Sequence, residues 1–298
     1  MFVINHRGFF FWLTGLFLVA ALGAITYFGL PLGIDFTGGS LTQISYQDTR
    51  PAVTDLQVAA AKANVGAVSI RAVGDKEISV RTRSLTPAEH DTLLASLSST
   101  ASTTELAYTS VGPALGSQFA GKALWAIAAV MLVIVLYIAF AFRKVSHPVP
   151  SLGYGLIVIV MLAIDIIVPT GFYAAYAHFT GAEVDSLFVV ALLALLGYCV
   201  NDVIVIFDRI REHLARNEKL GSHEPFEETI GKSINETLTR SINTALTVAL
   251  ALIALIYFGA EATRNFALVM LVGVVAGTFS SICRSAPLLI PISSWFKK

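Results

Sequence analysis

Charge is what this 298-residue chain has least of. Asp, Glu, Lys and Arg make up 13% of it, against about a quarter in soluble globular domains. The 20 acidic and 20 basic side chains also cancel, which excludes the electrostatic footprint of a nucleic-acid-binding protein or of a strongly basic membrane-surface protein. Cysteine is nearly absent: Cys199 and Cys283 are the two present, both within apolar runs. They read as small buried hydrophobes, without a disulfide framework or a metal-type Cys/His spacing, so neither a metal nor a cofactor is expected. Nor is there a complete phosphate-binding loop. Gly231-Lys232-Ser233 has the end of one, but the motif needs a glycine five residues before Gly231, where Phe226 stands.

Apolar residues fill the space that charge leaves, at 55% of the chain, and they are clustered as a bilayer requires. A spanning helix needs about 20 predominantly apolar residues. Six stretches approach that length: Phe9 to Phe28, Ala123 to Phe142, Ser151 to Tyr173, Leu187 to Phe207, Ile242 to Phe258 and Phe266 to Ile282. The first follows Arg7 and ends in small residues, as a secretory signal does. Its apolar core exceeds the roughly 7 to 15 residues of a cleaved signal, so it is expected to remain as an anchor. Basic residues collect on one side of these spans: Arg7, Arg143, Lys144, Arg209, Arg211, Arg216, Lys219, Lys232, Lys297 and Lys298. The short loops on the other side, 174–186 and 259–265, hold Arg264 alone. The positive-inside rule then places both termini and the 208–238 loop in the cytoplasm. Arg284, near the cytoplasmic end of the last span, is expected to snorkel to the interface.

This orientation leaves residues 31–120 outside the cytoplasm, between the anchor (1–30) and the remaining five spans (121–298). The segment reads as strands at Leu41 to Tyr46, Val68 to Val73, Glu77 to Arg83 and Thr103 to Val111. Helical segments fall at Val53 to Asn64 and Pro87 to Leu97, and Gly74-Asp75 is a tight turn between the middle strands. Thr86, Pro87 and Glu89 have the spacing of a capping box with proline at the first helical position. The order βαββαβ is the ferredoxin-like, split-βαβ arrangement. Because that fold hosts many functions, it suggests a binding or lever-arm domain and no chemistry by itself. Gly33, Gly38 and Gly39 at its entry, with Gly112, Pro113 and Gly116 at its exit, can serve either as hinges or as tight turns.

The informative residues are polar ones inside the spans. A charge at the centre of a membrane helix costs about 2.5 to 3.5 kcal/mol on insertion scales, so it needs a partner or a task. Asn201 and Asp202 interrupt the fourth span, with Asp202 about 22 Å from the outer end of its helix at 1.5 Å per residue. Arg240, Asn243, Thr244 and Thr247 form one polar stripe on the fifth, starting at a similar depth. Asp202 and Arg240 are therefore expected to pair, either as a titrating site with threonines lining a water path or as a static salt bridge. Asp165, with Pro169 four residues on, is a second intramembrane acid, read either as a member of the proton relay with Asn201, Asp202, Arg240, Thr244 and Thr247 or as a side chain bonded to a serine or threonine on a neighbouring helix.

Five stretches together carry a family resemblance: GIDFTGG at 33–39, VGPALG at 111–116, GYCVNDVIVIFDRIRE at 197–212, NETLTRSINTALT at 235–247 and GTFSSICRSAPLL at 277–289. In this order, over almost the whole chain, they resemble the SecF family of protein-export membrane proteins, within the resistance–nodulation–division superfamily. The resemblance implies a multi-pass bacterial inner-membrane protein, half of a pump-type helix bundle. It would work with SecD, the SecYEG channel, the translocating preprotein and the surrounding membrane lipids, and the proton-motive force would promote late export. It assigns proton handling to Asp202 and Arg240. The chain departs from the family pattern at Val203, Cys199, Val200, Ile164, Asn243 and Ala245, which bears on the water path and on whether protons or sodium ions are carried. A static scaffold and an intramembrane aspartyl protease using Asp165 and Asp202 are the competing readings; an arginine neutralising one carboxylate speaks against the protease.

Overall fold

The computed structural model describes residues 2–73, 75–142, 149–222 and 224–296. Gly74 of the expected turn and the basic residues Arg143, Lys144, Lys297 and Lys298 lie outside them. The chain runs α1 (Phe2–Asn5), α2 (Arg7–Phe28), α3 (Ile34–Thr37), β1 (Gly39–Tyr46), α4 (Val53–Lys62), β2 (Ser69–Val73) and β3 (Glu77–Thr82). It continues through α5 (Pro87–Ser98), β4 (Thr103–Val111), α6 (Pro113–Ala141), α7 (Ser151–Thr180), α8 (Ser186–Leu220) and α9 (Phe226–Phe258). Last come α10 (Glu261–Ser280), a π-helical turn at Ser281–Ser285 and α11 (Leu289–Phe296). Two compact units result, one of residues 1–30, 125–182 and 187–298, the other of residues 31–124 and 183–186.

The first unit is helical. Six helices among the described residues are long and apolar enough to cross a membrane, and they cover the six expected apolar stretches to within two residues. α7, α8 and the α10 region are central, whereas α2, α6 and α9 leave most of their surface uncovered within this chain. Close crossings are made where a side chain is missing. A Cβ on Gly171 would collide with the backbone of Ala21, so α7 and α2 touch there. A Cβ on Gly273 would strike the Leu195 side chain, and one on Gly277 the Cys199 sulfur, so these glycines of α10 admit side chains of α8. Small residues of this kind drive helix association in lipid, where no hydrophobic effect distinguishes a neighbouring helix from an acyl chain. Pro169 removes a donor inside α7, and the Thr170 hydroxyl occupies the Ile166 carbonyl at 2.7 Å.

The 208–238 loop is mostly helix. α8 runs on to Leu220 and α9 starts at Phe226, so the true turn is five residues long. The charges past Phe207 hold it: Arg211 pairs with Asp208 at 2.6 Å and Arg209 with Glu212 at 2.5 Å one turn away, and Arg209 also reaches Glu236 on α9. Gly221, at φ 61°, ends α8, and Pro225 caps the entry to α9.

The second unit carries the four-stranded antiparallel sheet, order β2-β3-β1-β4, with α4 and α5 in the crossovers. This is the ferredoxin-like arrangement. The alternation in β1 and β3 turns Ile44, Tyr46, Ile78 and Val80 to one face, where they meet Leu56 and Ala60 of α4 and Leu93 and Leu97 of α5. β4 forms an edge and is exposed along almost its whole length. The capping box at the start of α5 is complete: Thr86 N donates to Glu89 Oε2 at 2.8 Å, and Glu89 N donates to Thr86 Oγ1 at 3.4 Å. Arg83 pairs with the same Glu89, and its guanidinium, with the Thr86 donors, holds the Glu89 carboxyl down to about 2.

Two consequences are measurable at α5. Thr86→Ala should cost about 1 kcal/mol of cap stabilisation, seen as faster hydrogen exchange of the first-turn amides. Because the Glu89 pKa is depressed on folding, its contribution is complete above the unfolded carboxylate value of about 4.3. It should fall away as pH drops from there through about 2. Exchange of these amides that stays flat across that window in the wild type would contradict this.

Candidate functional site

The polar residues of the helical unit converge where α7, α8, α9 and the π-turn meet. Asp202 is half-buried on α8 and receives two hydroxyls. Ser241 Oγ on α9 donates to Oδ1 at 2.5 Å, and Ser281 Oγ donates to Oδ2. Ser281 lies equally within reach of the Thr278 carbonyl at 2.9 Å. A hydroxyl has a single hydrogen, so Ser281 satisfies one acceptor at a time. One turn before Asp202, the Tyr198 hydroxyl meets Thr278 Oγ1 at 3.3 Å.

Asp165 on α7 is 2% exposed and has a cation: Arg284 Nη2 donates to its Oδ1 at 3.2 Å, and Arg284 itself is 4% exposed. Ser280 and Cys199 also lie against this carboxyl. The pair has a single bond. Asp165 Oδ2 and Arg284 Nε are buried with no partner among the described residues. Arg284 therefore does not reach an interface, as its depth in the last span suggested. The π-turn inserts an extra residue into the helical repeat and rotates the guanidinium into the bundle, with all five residues Ser281–Ser285 buried.

The expected Asp202–Arg240 pair is not formed. Arg240 is exposed and lines a cleft of about 380 Å³ with Asp208, Arg209, Glu212, Glu236 and Thr237. The cause is helical phase. α9 buries Thr229, Ser233, Thr237 and Ser241, four residues apart, and Arg240 is one residue, about 100°, round from Ser241. Asn243, Thr244 and Thr247 follow Arg240 on the uncovered side, as does Asn201 on α8. Thr244 and Thr247 return their hydroxyls to the carbonyls of Arg240 and Thr244, both at 2.9 Å. Ser241, Ser281 and Arg284 were missed as site residues. The serine run of GTFSSICRS and the four-residue spacing of Ser233, Thr237 and Ser241 were the available signals.

The junction residues sit in the other unit and are closely packed. Gly38 has φ 73°, and a Cβ there would lie 2.6 Å from Pro113 Cα; a Cβ on Gly116 would lie 2.6 Å from Gly38 N. Both positions need the missing side chain so that two backbones can touch. Gly33 N donates to the Val184 carbonyl at 2.8 Å, Gly39 abuts the Thr82 carbonyl, and Gly112 faces open space. Asp35, between Gly33 and Gly38, accepts from Ser186 N at 2.8 Å and so caps α8. Removing either hydroxyl from Asp202 tests how it is held. Ser241→Ala and Ser281→Ala should each destabilise the protein by about 1 to 3 kcal/mol. Their combination should depart from additivity, because both serve one carboxyl; denaturant unfolding in detergent measures it, and additive effects would mean independent roles.

Comparison with known proteins follows the same motifs. The model for the C-terminal part of the protein export membrane protein SecD/SecF matches residues 92–295, and that for the SecD/SecF GG motif matches residues 24–49. The protein translocase subunit SecF of Thermobaculum terrenum is 36% identical, across 99% of this chain and 94% of that protein. Its counterpart from Anaerolinea thermophila is 33% identical, across 99% and 97%. The crystal structure of SecDF, a translocon-associated membrane protein from Thermus thermophilus, superposes with a TM-score of 0.83 at 30% identity and covers 99% of this chain. This chain spans 38% of that longer one. With a GG motif, six apolar helices and a match to these relatives over almost its whole length, the chain is a multi-pass integral membrane protein of the SecD/SecF family of protein-export membrane proteins.

Proposed function

We propose that this protein is a non-catalytic, auxiliary subunit of a Sec protein translocase in a bacterial inner membrane. It works beside a SecD partner and the SecYEG channel, and it uses the proton-motive force to promote late stages of preprotein export. The family and the names of its relatives support the translocase role, and the SecDF relative, in which the matched part is joined to a longer chain, supports a SecD partner. The uncovered stripe Arg240, Asn243, Thr244 and Thr247 supports a partner as well, since polar groups facing lipid are costly. A protease reading is weakened because Asp165 is bonded to Arg284 and Asp202 to two serines, whereas a catalytic dyad requires two carboxyls sharing a proton.

The observation that carries the coupling role is the ring of hydroxyls on Asp202. A carboxyl tied to a guanidinium loses its partner's bond when it is protonated. A carboxyl held by Ser241 and Ser281 can accept from them when charged and donate to one of them when neutral, with Ser281 turning its hydrogen to the Thr278 carbonyl. Both protonation states are satisfied by one geometry. Each elementary charge crossing the membrane contributes about 2.3 kcal/mol per 100 mV, so a few protons per cycle suffice to move a domain. The junction glycines Gly33, Gly38, Gly39, Gly112 and Gly116, with Pro113, are where such a movement would be received.

Replacing Asp202 by Asn should abolish gradient-dependent stimulation of secretion in membrane vesicles while early, ATP-driven translocation persists. A protein with Asp202→Asn that still responds to the gradient would return the site to a static role. Orientation is tested separately by single cysteines at Ser45, Ser84 and Ser222. An impermeant thiol reagent added outside cells stripped of their outer barrier should label the first two, and Ser222→Cys only after permeabilisation; the reverse pattern would overturn the assignment of residues 31–120 to the outer side.

A further inference from the structure

The Asp165–Arg284 pair is poorly built as a strut. Guanidinium and carboxylate bind most strongly through two parallel bonds, and this pair makes one, leaving a buried donor and a buried acceptor unused. Each unsatisfied buried group costs about 1 to 3 kcal/mol, and two small apolar side chains would join α7 to the π-turn at less expense. The pair also shares an element with the Asp202 site. Ser281, which donates to Asp202, and Arg284, which donates to Asp165, are three residues apart on the same buried π-turn. Cys199 lies against Asp165 on the α8 side and is within electrostatic range of Asp202 too.

Charge counting then applies to the group as a whole. Two carboxyls and one guanidinium carry a net charge of −1 when both acids are ionised and none when one of them holds a proton. In a low-dielectric surround the neutral arrangement is favoured. The titratable side chains in electrostatic contact with these groups are Tyr198 and Cys199 on α8 and Cys283 on the π-turn, and α9 contributes the hydroxyl of Ser241; the charged side chains Asp208, Arg209 and Glu212 of α8 and Glu236 and Arg240 of α9 line the exposed cleft. We propose that Asp165, Asp202 and Arg284 form one charge-balanced unit that exchanges a single proton, with Arg284 as its resident cation and the π-turn as the link between the two acids. A hydronium in the path gives up a proton, an O–H bond forms at a carboxyl oxygen, and water is left behind. The proton departs by the reverse transfer on the other side. The unpaired Asp165 Oδ2 and Arg284 Nε offer one acceptor and one donor to the water that delivers it.

This inference rests on the coupling role proposed for Asp202, and its test separates the two. Gradient-stimulated export is measured against pH in vesicles containing the protein with its partner subunits, for Arg284→Gln, Asp165→Asn and the two combined. Arg284→Gln makes the unit more negative by one charge and should move the pH profile up by about one unit, a tenfold change in proton affinity. Asp165→Asn makes it more positive and should move the profile down by a similar amount. The double variant restores the charge count and should return the profile to that of the wild type. A structural strut predicts no displacement of the profile, only lower thermal stability in both single variants that the double repairs; that result would overturn the proposal. Asp202→Asn is run alongside. If it retains the gradient response, the coupling role of Asp202 fails; if it loses the response while neither single variant moves the profile, the charge-balanced unit alone fails.

Discussion

A carboxylate inside a bilayer must be satisfied by groups the protein itself supplies, and the helical unit is arranged around that requirement. Asp165 and Asp202 sit on adjacent helices, and the two solutions differ. One acid has a cation and the other has hydroxyls. The cation and one of the hydroxyls come from the five residues of a π-turn, where the departure from the regular helical repeat presents a serine and an arginine to two different neighbours, and α9 supplies the second hydroxyl.

Packing makes that arrangement possible. On α10, Gly273 and Gly277 leave room for the Leu195 and Cys199 side chains of α8. The π-turn that follows α10 lies within bonding distance of Asp202. α9 closes the third side with Ser241, the last of a buried polar series spaced by four residues. Glycine, serine and threonine thus have two uses here, admitting a neighbouring helix and then bonding to it. The second unit follows soluble rules instead: a half-buried antiparallel sheet, two amphipathic crossover helices and a completed capping box.

The outer face of α9 is the converse case. Arg240, Asn243, Thr244 and Thr247 repeat with helical spacing on the side that this chain leaves uncovered. A stripe like that has no use against acyl chains, and it accords with a subunit whose bundle is completed by another polypeptide. The chain matches 38% of the SecDF relative, so the remainder of that longer chain has no counterpart in this sequence.

Much of this was legible before any coordinates. Twenty-residue apolar runs declare spanning helices because the bilayer sets their length, and alternation with turn residues declares the βαββαβ domain because one sheet face must be buried. The intramembrane acids stood out for the same reason, as charge where charge is costly. Which cation meets which acid did not follow. Depth along a helix can be counted from sequence, but rotation about its axis depends on what packs against it: one residue of phase separates Arg240, turned outward, from Ser241, bonded to Asp202. The π-turn shifts that phase again, and nothing in the local composition of SICRS announces it. Length, hydropathy and motif identity were set by the order of the residues; the pairing of Asp165 with Arg284 was decided only when four helices settled their rotations together.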